Sequence, residues 1–170
     1  MSRVHDRWLG IVGPRTLRTD GEVVERVVLT QAARVALRGH LGVTGAVRTG
    51  LLFGQVQDGT LRVQWAAQGS YPAWESPPLQ VDGHYVLGWA DALATINPGV
   101  QWVGQWLMYA DAQQHPSLED WAWLEDAQGL GLFGEQQIFV FAGWSEGRLA
   151  VSSYISRDEP ERLETEFGDS

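Results

Sequence analysis

One short segment of the chain collects the side chains best suited to acid, base or metal chemistry. They are a phenol, two carboxylates, an imidazole and a hydroxyl, at Tyr109, Asp111, Asp120, His115 and Ser117. An apolar run precedes this segment and a Trp-rich stretch follows it, so a strand, a loop and a helix are expected in that order. The groups could form an acid–base site in a hydrolase if they converge in one pocket, or the loop could simply be solvated.

Two of these residues also have a purely structural interpretation. Ser117 stands where a helix N-cap is expected, and Asp120 stands three residues later, which is a near relative of the capping box. The adjacent acids Glu119 and Asp120 also suit the positive end of a helix dipole. Helix capping therefore competes with a chemical role for this pair.

The rest of the chain supplies the elements that must position this segment. The hydrophobic pattern and the turn residues predict the order β-α-β-β-α-β-α-β-β. Strands are expected at residues 25–29, 46–57, 60–67, 100–109, 136–144 and 148–155, and helices at 30–40, 85–96 and 117–128. The strand at residues 100–109 shows little alternation, which predicts burial on both faces.

Composition limits the classes of function. A chain of 170 residues suits one globular domain, and the absence of Cys excludes disulfides, thiolate catalysis and Cys-ligated zinc. A net charge of −9 without a basic stripe argues against nucleic acid and anionic membranes as partners. The chain has no apolar run long enough to span a membrane, and its first residues lack the apolar core of a signal peptide. A cytoplasmic location is therefore expected.

Three regions are predicted along the chain. Residues 1–23 form an N-terminal extension, residues 24–156 form the folded domain, and residues 157–170 form an acidic C-terminal tail. The tail is expected to be solvated or to form a short helix that starts near Pro160. An acidic docking role for the tail stays open.

Several landmarks together resemble the JAB1/MPN/Mov34 family. They are a G-L-L-x-G strand at residues 50–54, a V-G-x-W strand at residues 103–106, and a Ser-x-x-Asp helix start at Ser117 and Asp120. The resemblance covers residues 24–155. It implies an α/β (α+β) fold, a single JAB1/MPN-like, cytidine-deaminase-like domain with a mixed β-sheet flanked by helices. Active members of that family are zinc isopeptidases that trim ubiquitin or ubiquitin-like proteins.

Carried over residue by residue, the family motif lacks most of its functional side chains in this sequence. The two zinc-binding His positions fall on Leu107 and Tyr109, and the general-base Glu position falls on Val47, while Ser117 and Asp120 are retained. Leucine offers no lone pair, and a phenol is a poor zinc ligand. The resemblance therefore implies a member without catalytic residues, without zinc and without another cofactor.

A second register of the same motif is an alternative. A degenerate form of the His-x-His-Pro motif stands at Gln113, His115 and Pro116. Asp126 follows His115 at the spacing at which the family has its zinc-binding Asp. This register places Trp123 where the family has Ser, and it moves the ligands beyond the end of the strand.

The leading functional prediction is a non-catalytic binding or scaffolding subunit. Its partner would be a ubiquitin-like tail, an active member of the same family or a second copy of the chain, and an extended tail could bind by strand addition. Trp106, Trp121 and Trp123 are the candidate interface residues, although core packing is the more ordinary role for Trp. The alternative prediction is an isopeptidase- or peptidase-like hydrolase with a relocated site at Tyr109, Asp111, His115 and Asp120.

Overall fold

Seven strands and three helices make up the part of the chain that the computed structural model describes, namely residues 23–41, 48–69, 82–109, 111, 113–129, 137–157 and 159–168. The strands are β1 (Arg26–Leu29), β2 (Arg48–Gln57), β3 (Thr60–Gln68), β4 (Gln101–Met108), β5 (Ile138–Ser145), β6 (Arg148–Ser156) and β7 (Pro160–Phe167). The helices are α1 (Gln31–Leu41), α2 (Gly83–Ile96) and α3 (Leu118–Gly129). The predicted order of elements is confirmed up to β6.

The strands close into a barrel in the order β1-β3-β2-β4-β5-β6-β7. Three of the pairings are parallel, β1 with β3, β1 with β7, and β4 with β5, and the other four are antiparallel. The predicted fold, a mixed sheet flanked by helices as in a JAB1/MPN-like domain, is therefore wrong. Pairing of β7 with both β6 and β1 closes the sheet on itself, and a closed sheet encloses its own core.

The acidic C-terminal segment is a barrel strand and neither a solvated tail nor a helix. Residues 160–167 form β7, and Leu163 at its centre is buried in the interior core. The neighbouring charged residues Arg162 and Glu164 are exposed. An acidic strand is stable here because the side chains of a strand alternate between two faces and only one face needs to be apolar.

Two apolar layers pack on the two faces of the barrel wall. All seven strands contribute to one cluster, which is therefore the interior, and α1 adds Ala33 and Leu37 to it. The second cluster combines the outer faces of β2 to β6 with Val86, Ala90 and Leu93 of α2 and with Leu124 of α3. Helices α2 and α3 thus cover part of the outer wall, and a hydrogen bond from Tyr109 to Asp120 brings the first turn of α3 close to the end of β4.

A bulge in β4 decides which of its side chains point outward. Leu52 pairs with Gly104 and Phe53 pairs with Trp102, so Val103 has no partner on β2. Gly104 has φ +147°, and a Cβ there would lie 2.0 Å from the backbone oxygen of Ile138. Because an extra residue reverses the alternation, the bulge places Leu107 on the outer face beneath the helices.

No helix among the described residues is long and apolar enough to cross a membrane.

Candidate functional site

The N-terminus of α3 and the end of β4 meet in a polar cluster built on Asp120. The Asp120 carboxylate is buried and accepts three hydrogen bonds, from the Tyr109 hydroxyl at 2.6 Å, the Ser117 N–H at 2.7 Å and the Ser117 hydroxyl at 2.8 Å. In return, the Asp120 N–H donates to the Ser117 Oγ at 3.2 Å. This reciprocal arrangement is a capping box. It gives Ser117 and Asp120 the structural role that their spacing predicted.

Tyr109 closes this cluster from the strand side. Its ring stacks on Phe141 with centroids 6.4 Å apart, and its hydroxyl points to Asp120. Burial, followed by the hydrogen bond to Asp120, raises the pKa of Tyr109 to about 12. The phenol therefore stays protonated near neutral pH and acts as a hydrogen-bond donor.

The positions that the family uses to hold zinc do not fit a zinc ion in this chain. Leu107 is fully buried in the outer core and offers no donor atom. The oxygen of Tyr109 and both oxygens of Asp120 are engaged with each other and with Ser117. Val47, which takes the position of the general base, lies outside the described residues.

The four residues of the relocated hydrolase site separate into different local structures. Tyr109 and Asp120 bond to each other, whereas the exposed Asp111 accepts from the Gln113 N–H at 3.2 Å. The Nδ1 of His115 lies 2.9 Å from the hydroxyl of Tyr154. Among the described residues, no hydrogen bond joins Asp111 or His115 to the Tyr109–Asp120 pair. The loop therefore positions these groups for turns and packing.

The second motif register also lacks the geometry of a metal site. The side-chain amide of Gln113 donates to the backbone oxygen of His115, and Asp126 is exposed on α3. Over the described ranges, no group of three or more His, Asp or Glu side chains could hold a metal ion.

The three Trp residues predicted at an interface have different surroundings. Trp106 is fully buried in the barrel interior, and its indole N–H donates to the Ala67 oxygen at 2.8 Å, which removes it from the interface candidates. Trp121 and Trp123 are partly exposed and pack edge-on against Tyr154 and Phe139. These two stay as candidates on the helix surface.

Sequence reasoning missed a groove beside Trp65. The groove has a volume of about 330 Å³ and is lined by Thr30, Ala32, Arg62, Gln64 and Trp65. Regular alternation after Leu61 and Val63 would point Trp65 into the barrel. In the structure Gln64 has no partner on β2, and this bulge turns Trp65 outward. The sequence carries no local signal for that extra residue.

Comparisons with known proteins show a likeness in fold to solved structures. No protein-family model matches the chain, and no curated protein matches it at a significant level. The chain is similar to the solution structure of protein DSY2949 from Desulfitobacterium hafniense, with 15% identity, a TM-score of 0.58, and coverage of 85% of this chain and 94% of that chain. At this identity the likeness shows a shared fold alone. It does not test the resemblance to the JAB1/MPN/Mov34 family, which stays a prediction.

Proposed function

We propose that this protein is a non-catalytic binding module. The observation that carries the proposal is the set of hydrogen bonds to the carboxylate of Asp120, the acidic residue of the Ser-x-x-Asp motif. Three donors from Tyr109 and Ser117 occupy its carboxylate, and they belong to the cap of α3. A buried carboxylate that accepts three hydrogen bonds within a helix cap is poorly placed to bind a substrate or a metal.

The protonation state of Tyr109 supports the same proposal over the hydrolase alternative. A general base needs a pKa near the working pH, and the raised pKa of Tyr109 moves the phenol away from that range. His115 is paired with Tyr154 and Asp111 caps a turn, so neither stands beside the Tyr109–Asp120 pair as its partner.

The closed barrel favours binding through side-chain surfaces over the addition of a strand. Every strand has a neighbour on each side along at least part of its length, so the described sheet offers no fully free edge strand. Exposed aromatic side chains at Trp65 and Trp144 are typical anchors for protein partners. The proposed partner is a protein, either another chain or a second copy. A cytoplasmic location belongs to the same proposal and rests on the sequence alone.

Two measurements on the full chain test this function together. Purified wild-type protein, with and without added Zn²⁺, is assayed on isopeptide and peptide substrates beside the Asp120→Asn variant. We expect no turnover above that of the variant. The tagged protein is then purified from its native host, and the sample is examined for a stoichiometric partner or for self-association by sedimentation.

The outcomes separate the two functions. Turnover by the wild type that disappears in Asp120→Asn would establish an enzyme and overturn the proposal. A strictly monomeric protein that retains no partner would also contradict it.

A further inference from the structure

The outward face of α3 carries apolar side chains that the barrel wall does not cover. Leu118 in the first turn is 88% exposed, and Ala122, one turn later, is exposed as well. Residues three and four apart are neighbours on a helix, so the partly exposed Trp121 lies beside Leu118. Asp120 and Leu124 are buried and mark the side of the helix that faces the wall. Leu118, Trp121 and Ala122 thus form an apolar strip on a side that is usually polar in a surface helix.

Carboxylates border this apolar strip. Glu125 lies seven residues after Leu118, and Asp126 lies four residues after Ala122, so both continue the helix rows that contain the strip. Both side chains are exposed, and so is Glu119 beside Leu118. Within the described part of the chain, none of these three carboxylates forms an ion pair. Their negative charges are therefore available to a partner.

Two of these acids occupy an electrostatically unfavourable part of α3. Asp126 lies in the last turn and Glu125 directly before it, and the last turn has no basic residue. The C-terminus of a helix carries partial negative charge, so a carboxylate there is repelled where an Arg or Lys would be attracted. The side chain of Gln128 holds this helix end to the barrel by donating to the Ser156 oxygen at 3.1 Å. A positive charge supplied by a partner would stabilise this end of the helix.

The elements around α3 add little positive charge. Helix α2 carries Asp91 and no Arg, and β4 and β5 carry no charged residue. β6 carries Arg148 at its start, while β7 carries Arg162 together with three Glu. Arg157, between these two strands, is already paired with Glu161. The surroundings of α3 are therefore negative, as is the whole chain with its net charge of −9, and they attract a positively charged partner.

We propose that the outward face of α3 binds a basic segment of a different protein, with an apolar side chain of that segment on the apolar strip and its Arg or Lys side chains on the bordering carboxylates. This inference rests on the proposed binding function and names its surface and the chemistry of its partner. A helix face is convex and sites for small molecules are concave, so the surface suits a macromolecule. Negative charge repels nucleic acids and anionic membranes, and a second copy of the chain is negative too.

The test uses fluorescence anisotropy with the full-length protein and a short fluorescein-labelled peptide in which a central leucine is flanked by arginines. We expect saturable binding that weakens when glutamates replace the arginines or when serine replaces the leucine. Leu118→Ser should raise the Kd of the arginine peptide about tenfold, because it removes the apolar contact. Glu125→Gln combined with Asp126→Asn should raise the Kd about five- to tenfold, because two exposed ion pairs are lost and each contributes modestly.

The matched control is Glu164→Gln combined with Glu166→Gln, which changes the net charge equally but on β7, where it pairs with β1. These side chains are exposed, and the control should leave the Kd within about twofold of the wild type, since distant exposed charges are screened. Circular dichroism melts verify that each variant folds. The thermal midpoint of the Glu125→Gln, Asp126→Asn variant should not fall, because the change removes repulsion at the end of α3, so weaker binding there is not caused by unfolding.

Absence of saturable binding, or equal binding of the arginine and glutamate peptides, overturns the inference. So does an unchanged Kd in Leu118→Ser or in the Glu125→Gln, Asp126→Asn variant. An equal loss in the β7 control also overturns it, because binding would then follow the net charge of the chain. Displacement of the peptide by spermine at the same concentration as by unlabelled peptide would make a small polycation the ligand. Self-association that Leu118→Ser abolishes would assign the face to a second copy, and either result rejects a basic protein partner.

Failure of this inference is distinguishable from failure of the proposed function. If Leu118→Ser and the Glu125→Gln, Asp126→Asn variant still retain a native partner, the protein is a binding module that uses another surface. Turnover that depends on Asp120 would reject the binding-module proposal whatever the peptides do.

Discussion

At the scale of single residues, Tyr109 and Asp120 show how the same side chains can serve chemistry or structure. Their types and spacing resemble a metal site, yet their hydrogen bonds form the cap of α3. The deciding factor is the number of donors around the carboxylate. Once Tyr109 and both donors of Ser117 converge on Asp120, stability of the strand–helix junction is the property that these residues determine.

Replacing Tyr109 with Phe should reveal this role through its dependence on pH. The folded state binds the phenolic proton more tightly than the unfolded state, in which Tyr titrates near a pKa of about 10. The stabilisation is therefore fully present below about pH 10 and is lost as the pH rises towards about 12. At neutral pH we expect Tyr109→Phe to lower the free energy of unfolding by about 1–2 kcal/mol, because a hydrogen bond to a charged group is removed.

Denaturant unfolding of the wild type and of Tyr109→Phe at a series of pH values measures the difference between their free energies of unfolding. It should shrink above about pH 10, and a difference that stays constant to about pH 12 would contradict the assignment. Tyr85→Phe is the matched control at neutral pH, since it removes a neutral hydrogen bond to the Gln68 carbonyl and should cost about 1 kcal/mol or less.

At the scale of elements, two bulges that meet β2 at almost the same place determine which side chains face outward. In β4 the unpaired residue is Val103, and in β3 it is Gln64. The first bulge brings Leu107 beneath the helices, and the second exposes Trp65 beside the groove. A shift of one residue exchanges the two faces of a strand, so these bulges affect every site on the outer wall.

Gly104→Ala tests the β4 bulge. A Cβ at this position would meet the Ile138 backbone oxygen at 2.0 Å, and φ +147° is unfavourable for any residue with a side chain. We expect the variant to lose about 3 kcal/mol or more of stability, or to fail to fold. The measurement is the thermal midpoint from circular dichroism.

The matched control is Gly88→Ala in α2, where a new Cβ would have no heavy atom within 4 Å. In a helix interior the same substitution should stabilise the fold by about 0.5–1 kcal/mol. A Gly104→Ala variant as stable as Gly88→Ala would show that β4 does not need this conformation.

At the scale of the whole molecule, closure of the barrel depends on the acidic segment near the end of the chain. β7 pairs in parallel with β1 and antiparallel with β6, so it joins the first described strand to the last hairpin. The exposed side chains of β7 include Glu161, Glu164 and Glu166, and its inward Leu163 supplies apolar contact to the interior. The strand thus combines a solvated outer face with a buried inner face.

Leu163→Ala should therefore destabilise the protein by about 2–4 kcal/mol, the usual cost of a large-to-small change in a core. Glu164→Ala on the same strand is exposed and should change stability by less than about 0.5 kcal/mol. Urea unfolding of the pair measures both values. If residues 157–170 were a solvated tail, both substitutions would be neutral, and that result would reject the closed barrel.

The sequence by itself determined the elements up to β6 and the capping pair at Ser117 and Asp120. These features depend on local patterns such as hydrophobic periodicity, turn residues and side-chain chemistry. Only the tertiary structure decided that the sheet closes, that the acidic segment is a strand, and that Trp65 faces outward while Trp106 is buried. Closure depends on hydrogen bonds between strands far apart in the chain, and the orientation of Trp65 depends on a one-residue bulge, neither of which leaves a local pattern.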